Sequence, residues 1–333
     1  MVRVGIVDLD TSHCELFTPL VNEADGLTVA AVWDGGSVRP AGYAATFAAE
    51  FGIDKVCGSL DELVESVDVG MLMGQNWDLH VERARPFLEA GKRVFIDKPL
   101  VGRMADVNAL IALSERTGVP VMGGSSLRYA PPLTALREGG RTPANVVSAF
   151  ASGPHDFFNY GVHAVAMIAG FFGPGIRAVT HIASGATDLF LLEWGEAGLP
   201  IVLQLSAPDV WEYSFFLALT TDRIGVEPLK FVCDDAFSDD LNRGLIAEFV
   251  RFAHGEPPAV AVPDLLEEVT VCLAAAEARR TGGRVALSDI PASAGFDGAA
   301  FTSSYARAGG WQDGAGGGSQ QPSSSYSVGP GRP

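Results

Sequence analysis

Short apolar runs alternate with stretches of helical periodicity over the first third of the chain. The runs predict strands at Val2–Val7, Leu27–Trp33, Val67–Met73, Arg93–Ile96 and Val119–Met122. The intervening stretches predict helices at 14–21, 43–51, 77–90 and 104–117, with a short helix behind the capping box of Ser59 and Glu62. Repeated strand–helix–strand units predict a doubly wound parallel sheet over residues 1–122. Ligands of such sheets lie outside the carboxyl ends of the strands.

The pattern changes from about Gly123 onward. Longer alternating runs predict strands with one solvated face at Ala178–Ala183, Asp188–Trp194, Ile201–Ser206 and Ser214–Thr220. Helices are expected around 162–172, 241–254 and 265–281. Residues 123–290 are therefore predicted to form a second α+β domain, whose sheet is broad enough to mediate dimerisation. Residues 291–333 turn to Gly, Ser, Ala and Gln, which predicts a disordered tail.

Composition and charge restrict the class of protein. A hydrophobic content of 47% with 19% charged residues indicates globular domains, and 333 residues suggest two of them. A formal net charge of −17 argues against nucleic acid or an anionic membrane as a partner. The four cysteines form no Cys-x-x-Cys pair, and no apolar stretch is long enough to cross a bilayer. We expect a cytoplasmic protein with reduced thiols and no metal site.

The turn after the first strand departs from a dinucleotide-binding loop. Such a loop reads G-x-G-x-x-G, so that backbone amides approach a pyrophosphate. Here Asp8, Asp10 and His13 occupy the three glycine positions. Thr11 or Ser12 at the helix start and a donor from His13 still offer phosphate contacts. A capped helix start without any ligand is the open alternative.

Polar residues follow the next two strands on the ligand side of the sheet. Asp34 ends the second strand, where an acid accepts from an adenosine ribose hydroxyl and repels a 2′-phosphate, which favours NAD over NADP. Gly74, Asn76 and His80 follow the apolar strand Val67–Met73. The alternatives are a turn aspartate for Asp34, a helix cap for Asn76 and simple packing for His80.

The segment Asp97-Lys98-Pro99 carries the sharpest chemical signal. Pro99 disfavours helical geometry at Lys98, so the lysine stays extended at the strand end where ligands lie. A lysine there stabilises a developing alkoxide. Arg128, in the segment that enters the second domain, is placed to bind an acidic or hydroxylated substrate, with a structural ion pair as the alternative.

A second basic centre lies further along, in Asn159-Tyr160-Gly161-Val162-His163. Asn159 and His163 are four residues apart and share one face of a predicted helix. An imidazole there takes or returns the hydroxyl proton of a carbinol. A packed core histidine is the alternative for His163.

These motifs resemble those of the Gfo/Idh/MocA family, the relatives of glucose–fructose oxidoreductase and inositol dehydrogenase. The matching residues are Asp34, Ala90–Pro99, Arg128–Pro131 and Gly161–His163, within a resemblance that covers about residues 1 to 290. It implies an N-terminal Rossmann domain, a C-terminal domain on an open, mainly antiparallel sheet, and NAD(P)-dependent redox chemistry on sugars and cyclitols. The family usually has Glu-Lys-Pro, and its aspartate four residues before the histidine is Asn159 here. An asparagine does not support an imidazolium as a carboxylate does.

The resulting hypothesis is an NAD-dependent oxidoreductase that moves a hydride to or from a hydroxyl or keto carbon of a sugar-like or cyclitol-like molecule. Lys98 and His163 are the predicted catalytic residues. The predicted cofactor contacts are Asp10, Thr11, Ser12, His13, Asp34, Gly74, Asn76, His80, Asp97 and Lys98. The predicted substrate contacts are Lys98, Arg128, Tyr129, Asn159, Tyr160 and His163. A homodimer or homotetramer is expected from the resemblance. Two alternatives stay open: a lyase, hydrolase or isomerase that recycles tightly bound NAD, and a cofactor-free relative.

Overall fold

The first sheet of the computed structural model is parallel and doubly wound. The model describes residues 1–154, 157–185, 187–206, 214–221, 225–232 and 235–308. The strands of this sheet are β1 (Val2–Val7), β2 (Leu27–Trp33), β3 (Lys55–Val56), β4 (Val69–Leu72), β5 (Arg93–Asp97) and β6 (Val121–Gly124). Their order is β3-β2-β1-β4-β5-β6, and every neighbouring pair is parallel. The predicted fold class of the N-terminal half is confirmed.

Helices cover both faces of this sheet. They are α1 (His13–Glu23), α2 (Tyr43–Phe51), α3 (Leu60–Ser66), α4 (His80–Glu89) and α5 (Met104–Thr117). All of β4 is buried, as expected for a strand covered on both faces. The helix predicted at 77–90 is divided in the structure: Trp77–Leu79 forms a 3₁₀ turn and α4 begins at His80.

The second sheet is open and mainly antiparallel, as predicted. Within the described residues its strands are β7 (Val146–Pro154), β8 (Ile176–Ala183), β9 (Thr187–Trp194), β10 (Leu199–Ser206), β11 (Ser214–Thr221), β12 (Gly225–Val232) and β13 (Arg284–Ala286). Their order is β12-β11-β7-β10-β9-β8-β13, and only the β7–β10 pair is parallel. The accompanying helices are α6 (Pro131–Glu138), α7 (Gly161–Phe172), α8 (Asp235–Ala253) and α9 (Val262–Thr281).

Helix α8 packs on the first sheet although it belongs to the second half of the sequence. Its residues Leu245, Ile246, Phe249 and Phe252 share an apolar cluster with β1, β2 and α1. The ring of Phe249 meets Phe95 of β5 edge-on at 5.7 Å. The two halves of the chain are therefore joined through a common core.

The segment 291–308, which we call the C-terminal strap, is ordered, and the prediction of disorder there is wrong. It contains α10 (Gly298–Ala308). The ring of Phe296 stacks on that of Phe158 with a centroid distance of 4.2 Å. The backbone carbonyl of Phe296 accepts a hydrogen bond from Trp77 Nε1 at 3.0 Å. The Asp78 carboxylate accepts from the first amide of α10 at 3.1 Å. The remainder of the predicted tail, 309–333, lies outside the described residues.

Among the described residues, no helix combines the length and the apolar character that crossing a bilayer requires.

Candidate active site

Lys98 lies where the two halves of the chain meet. It directly follows β5, and its Nζ donates to the backbone oxygen of Asn159 at 3.3 Å and to Asn159 Oδ1 at 3.2 Å. The ammonium also lies 5.5 Å from the centroid of the Tyr160 ring. Residues 159 and 160 come directly before α7, so the first sheet supplies the cation and the second half supplies its polar partners.

His163 lies in the first turn of α7 and is hydrogen-bonded to a serine that the sequence did not single out. Its Nδ1 lies 2.6 Å from Ser125 Oγ, in the turn after β6. Ser125 Oγ also accepts from Leu127 N–H at 3.1 Å, so its own hydrogen is available for the imidazole. Burial lowers the pKa of His163 well below its ordinary value, and the charges of Lys98 and His13 lower it further. His163 is therefore a neutral ring at pH 7.

Gln75 is a second residue that the sequence reasoning passed over. Its side-chain amide donates to Asn159 Oδ1 at 3.3 Å, and its backbone N–H donates to Asp10 Oδ2 at 2.8 Å. It thus ties the loop after β4 to both the acidic loop and the Lys98 site. The sequence signal that could have identified Gln75 is its position after Gly74 at the carboxyl edge of the sheet. Ser125 has a comparable position, directly after β6.

The carboxylate of Asp8 is turned into the protein. Its Oδ1 accepts from Gly35 N–H at 2.8 Å, and Oδ2 lies 3.5 Å from Arg83 Nε. A Cβ at Gly35 would lie 2.7 Å from that Oδ1, and one at Gly74 would lie 3.0 Å from Oδ2. The glycines in the two neighbouring loops thus leave room for the Asp8 side chain. The backbone of Asp8 itself has a φ of 62°, a left-handed value that glycine adopts more readily than other residues.

Asp10 is buried and only partly satisfied. The backbone N–H of Gln75 donates to Oδ2, whereas Oδ1 has no hydrogen-bond partner among the described residues. Burial raises the pKa of Asp10 to about 7, and the Asp8 and Asp34 charges add to the increase, while Arg39 opposes it. The carboxyl is therefore close to half-protonated at neutral pH.

Thr11, Ser12 and His13 remain at the start of α1. Thr11 is buried and its hydroxyl accepts from His13 N–H at 3.3 Å, whereas Ser12 is exposed and makes no side-chain cap bond. The His13 ring binds Asp97 Oδ2 at 2.7 Å. The predicted phosphate contacts of these residues stay predictions.

Arg128 is paired with a buried carboxylate in the core, whereas a substrate contact beside Lys98 was expected. Its guanidinium is 4% exposed and is paired with the Glu268 carboxylate of α9, which is 1% exposed. Tyr129 is partly buried against the cluster that contains α8. The alternative of a structural ion pair accounts for Arg128, because the guanidinium is occupied inside the core.

His80 and Asn76 also have structural partners. The two ring nitrogens of His80 lie 2.8 Å from the Leu100 carbonyl oxygen and 2.9 Å from that of Gly74, and the ring is buried. Asn76 Oδ1 accepts from Asp78 N–H at 3.2 Å and caps the 3₁₀ turn. These contacts fit the alternatives of a helix cap for Asn76 and of packing for His80, and the cofactor contacts of the two residues stay predictions.

Asp34 stays at the end of β2 as expected. One of its oxygens accepts from Gly36 N–H at 3.1 Å, which is a turn contact, and the side chain keeps part of its surface accessible. Its ribose contact stays a prediction. Asp156, a candidate for the charge missing beside His163, lies outside the described residues.

A six-stranded parallel sheet with a polar carboxyl edge, joined to an open, mainly antiparallel sheet, is a Rossmann fold followed by a second α+β unit. Residues 2–125 match the model of an oxidoreductase family described as having an NAD-binding Rossmann fold. These residues therefore carry the Rossmann domain of the Gfo/Idh/MocA family, and the resemblance inferred from the motifs is confirmed over this part of the chain.

Individual proteins extend this comparison. The 1,5-anhydro-D-fructose reductase of Ensifer adhaerens is 29% identical over 124 residues, which are 33% of this chain and 37% of that protein. The chain matches only 36–38% of the length of its first curated relatives. A probable dehydrogenase from Thermotoga maritima superposes with a TM-score of 0.75 and 18% identity, over 87% of this chain and all of that one.

A second solved structure holds ligands. It is scyllo-inositol dehydrogenase from Lactobacillus casei with bound NAD(H) and scyllo-inositol, with a TM-score of 0.72 and 15% identity over 86% of this chain and 99% of that one. At such identities these structures show that the fold is shared.

The predicted cofactor NAD agrees with the description of the matching family, an NAD-binding Rossmann fold. The residues of the loop after β1 fit this cofactor when Asp10 is protonated. Asp8 does not oppose a pyrophosphate directly, because its carboxylate is bound inside the protein. The amino end of α1 would supply the backbone amides for the pyrophosphate. Asp10 is the obstacle, and its raised pKa means that a single proton removes the charge.

Proposed function

We propose that the protein is an NAD-dependent dehydrogenase or reductase that moves a hydride to or from the hydroxyl or keto carbon of a sugar-like or cyclitol-like molecule. The observation that carries the proposal is the Lys98 ammonium at the end of β5, bound to Asn159 at 3.2 and 3.3 Å and next to Tyr160. The family match and a related fold that holds NAD(H) and scyllo-inositol support it.

The chemistry divides among residues already described. NAD accepts or supplies the hydride when bound. Lys98 stabilises the negative charge that develops on the substrate oxygen, since a fixed ammonium at a partly desolvated site is worth most where charge develops. His163, as a neutral ring backed by Ser125, hydrogen-bonds to the substrate. Asn159 and Tyr160 position the substrate beside Lys98.

The test is to incubate purified protein with NAD and a panel of sugars, cyclitols and vicinal diols, measuring NADH against product. We expect NADH in stoichiometric amount with oxidised product. Product without NADH would replace the proposal by a reaction that recycles the cofactor. Absence of sub-millimolar NAD binding in calorimetry would indicate a cofactor-free protein.

Cytoplasmic location and assembly into a homodimer or homotetramer belong to the same proposal. Reduced cysteines support the location, since Cys14, Cys57 and Cys272 are unpaired and buried. The open second sheet offers a broad surface for a second copy of the chain.

NAD affinity should fall as the pH rises above 7. A bound pyrophosphate adds negative charge near Asp10, so the complex favours the protonated carboxyl, whereas the free protein loses that proton through its pKa of about 7. The dissociation constant should increase up to about tenfold per pH unit above that value, because one pKa unit corresponds to about 1.4 kcal/mol. Calorimetry at pH 6 to 9 measures the trend, and buffers of different ionisation enthalpy measure the proton taken up.

The variant Asp10→Asn should bind NAD with an affinity independent of pH, and more tightly than the wild type at pH 8. Asp54→Asn, which removes an exposed carboxylate outside the loop, should keep the wild-type dependence. A pH-dependent affinity that survives in Asp10→Asn would assign the proton to another group.

A further inference from the structure

The structure contains a histidine–aspartate pair at the cleft that the family resemblance does not include. His13 occupies the third glycine position of the loop, and Asp97 stands where the family usually has glutamate. His13 Nδ1 lies 2.7 Å from Asp97 Oδ2, and the ring stacks on Phe17 with a centroid distance of 4.9 Å. The pair spans the end of β4, which lies between β1 and β5 in the sheet. Two departures from the expected motifs thus contact each other.

Asp97 is an ionised carboxylate within the core. It is 1% exposed, and burial alone would raise its pKa, but the His13 ring and the Lys98 ammonium bring the pKa below its ordinary value. A carboxylate only accepts hydrogen bonds, so the shared hydrogen lies on Nδ1 of the imidazole. In the neutral ring the lone pair is then on Nε2. This is the arrangement in which a carboxylate orients an imidazole and stabilises its protonated form.

His163 lacks these properties. Its Nδ1 is bound by the Ser125 hydroxyl, no carboxylate of the described residues is hydrogen-bonded to the ring, and burial disfavours its protonated form. In the tautomer in which Ser125 donates to Nδ1, the neutral ring carries its hydrogen on Nε2 and is a hydrogen-bond donor to the substrate. Contacts connect the three groups: Asp97, which binds His13 at 2.7 Å, directly precedes Lys98, and the Lys98 ammonium binds Asn159, four residues before His163.

We propose that His13, oriented by Asp97, is the general base of the oxidation and the general acid of the reduction. This inference depends on the proposed function. In oxidation the substrate O–H bond breaks and an N–H bond forms at His13 Nε2, while the C–H electron pair leaves as hydride to oxidised NAD and the C=O bond forms. Lys98 holds the oxygen throughout. The His13 side chain is 25% exposed, so the proton then passes to water.

The experiment uses the full-length protein and the compound that the panel identifies. His13→Gln and His13→Ala should lower kcat by at least about 100-fold, the usual range for loss of a general acid–base group. Their NAD dissociation constants should stay within about threefold of wild type at constant pH, since a mechanistic loss leaves binding intact. Added imidazole should restore turnover to His13→Ala. Asp97→Asn should lose turnover as well and shift the pH profile of kcat. His254→Gln, an exposed histidine that binds the Asp25 carbonyl, is the matched control and should be unaffected.

The outcomes separate this inference from the proposed function. Retention of more than a fifth of wild-type kcat in His13→Gln overturns the inference and leaves the proposed function standing. The inference is also overturned if the loss of turnover in His13→Ala is not restored by imidazole and is explained by weaker NAD binding. His13 would then be part of the cofactor site. A wild-type protein that oxidises or reduces no compound of the panel contradicts the proposed function, and the inference with it.

Discussion

Lys98→Met should abolish turnover while NAD still binds. The methionine keeps the length of the side chain but removes the charge that stabilises the substrate oxygen, and losing one such group costs about 10²–10³ in kcat. The ammonium also binds both oxygens of Asn159, so its loss frees that residue from one of its anchors. Steady-state kinetics on the compound found in the panel measure kcat, and calorimetry measures NAD affinity, which should change by less than about threefold if binding is unaffected.

The control for this variant is Lys55→Met. Lys55 is an exposed lysine that pairs with Glu62 on the surface, so turnover should match the wild type. Turnover by Lys98→Met within tenfold of wild type would reject the role of Lys98. Loss of NAD binding together with turnover would instead place Lys98 mainly at the cofactor.

Arg128→Met should destabilise the protein by about 3–5 kcal/mol, the usual cost of leaving one member of a buried ion pair without its partner. Glu268 would remain in the core with a charge that nothing else neutralises, since its Oε2 has no hydrogen-bond partner among the described residues. The double variant Arg128→Met with Glu268→Leu should cost much less, because it removes both charges. Urea unfolding measures the free energies.

The loss in Arg128→Met should shrink at low pH. Burial raises the pKa of Glu268 even with Arg128 present, and removing the guanidinium raises it further. The folded state then holds a proton that the unfolded state releases, so stability decreases as the pH rises through that raised value. The exposed pair Arg3–Asp68 is the comparison: Arg3→Met should cost less than about 1 kcal/mol. Equal costs for the single and double core variants would contradict the argument.

The first sheet was predictable because burial on both faces leaves a strong local pattern. The bounds of β1, β2, α2 and α5 agree with those expected, and the two helices end at Gly52 and Gly118 in the left-handed conformation that glycine favours. These signals depend on short stretches of chain, which explains why they survive without any knowledge of tertiary contacts.

The strand β7, in the interior of the second sheet, was missed. β7 reads Val-Val-Ser-Ala-Phe-Ala-Ser-Gly-Pro, where small residues hide the alternation of a strand. It is nevertheless paired on both sides, with β10 and β11. Its identity as a strand comes from these distant partners, so local periodicity could not show it.

The site was predictable in part for the same reason. Lys98 was found because Pro99 and the strand end fix its setting locally. Arg128 was misassigned because its partner Glu268 lies 140 residues away. The sequence did not single out Ser125 and Gln75, because an uncharged polar residue at a strand end gives little signal until its partner is known.

The C-terminal strap sets an order of events during translation. A ribosome releases the chain from its amino end, so Trp77 emerges well before Phe296, whose carbonyl it binds 219 positions later. Until Phe296 is synthesised, the Trp77 indole lacks its hydrogen-bond acceptor and the Phe158 ring lacks its stacking partner. The nascent polypeptide thus acquires a finished cleft only after the C-terminal strap has left the ribosome.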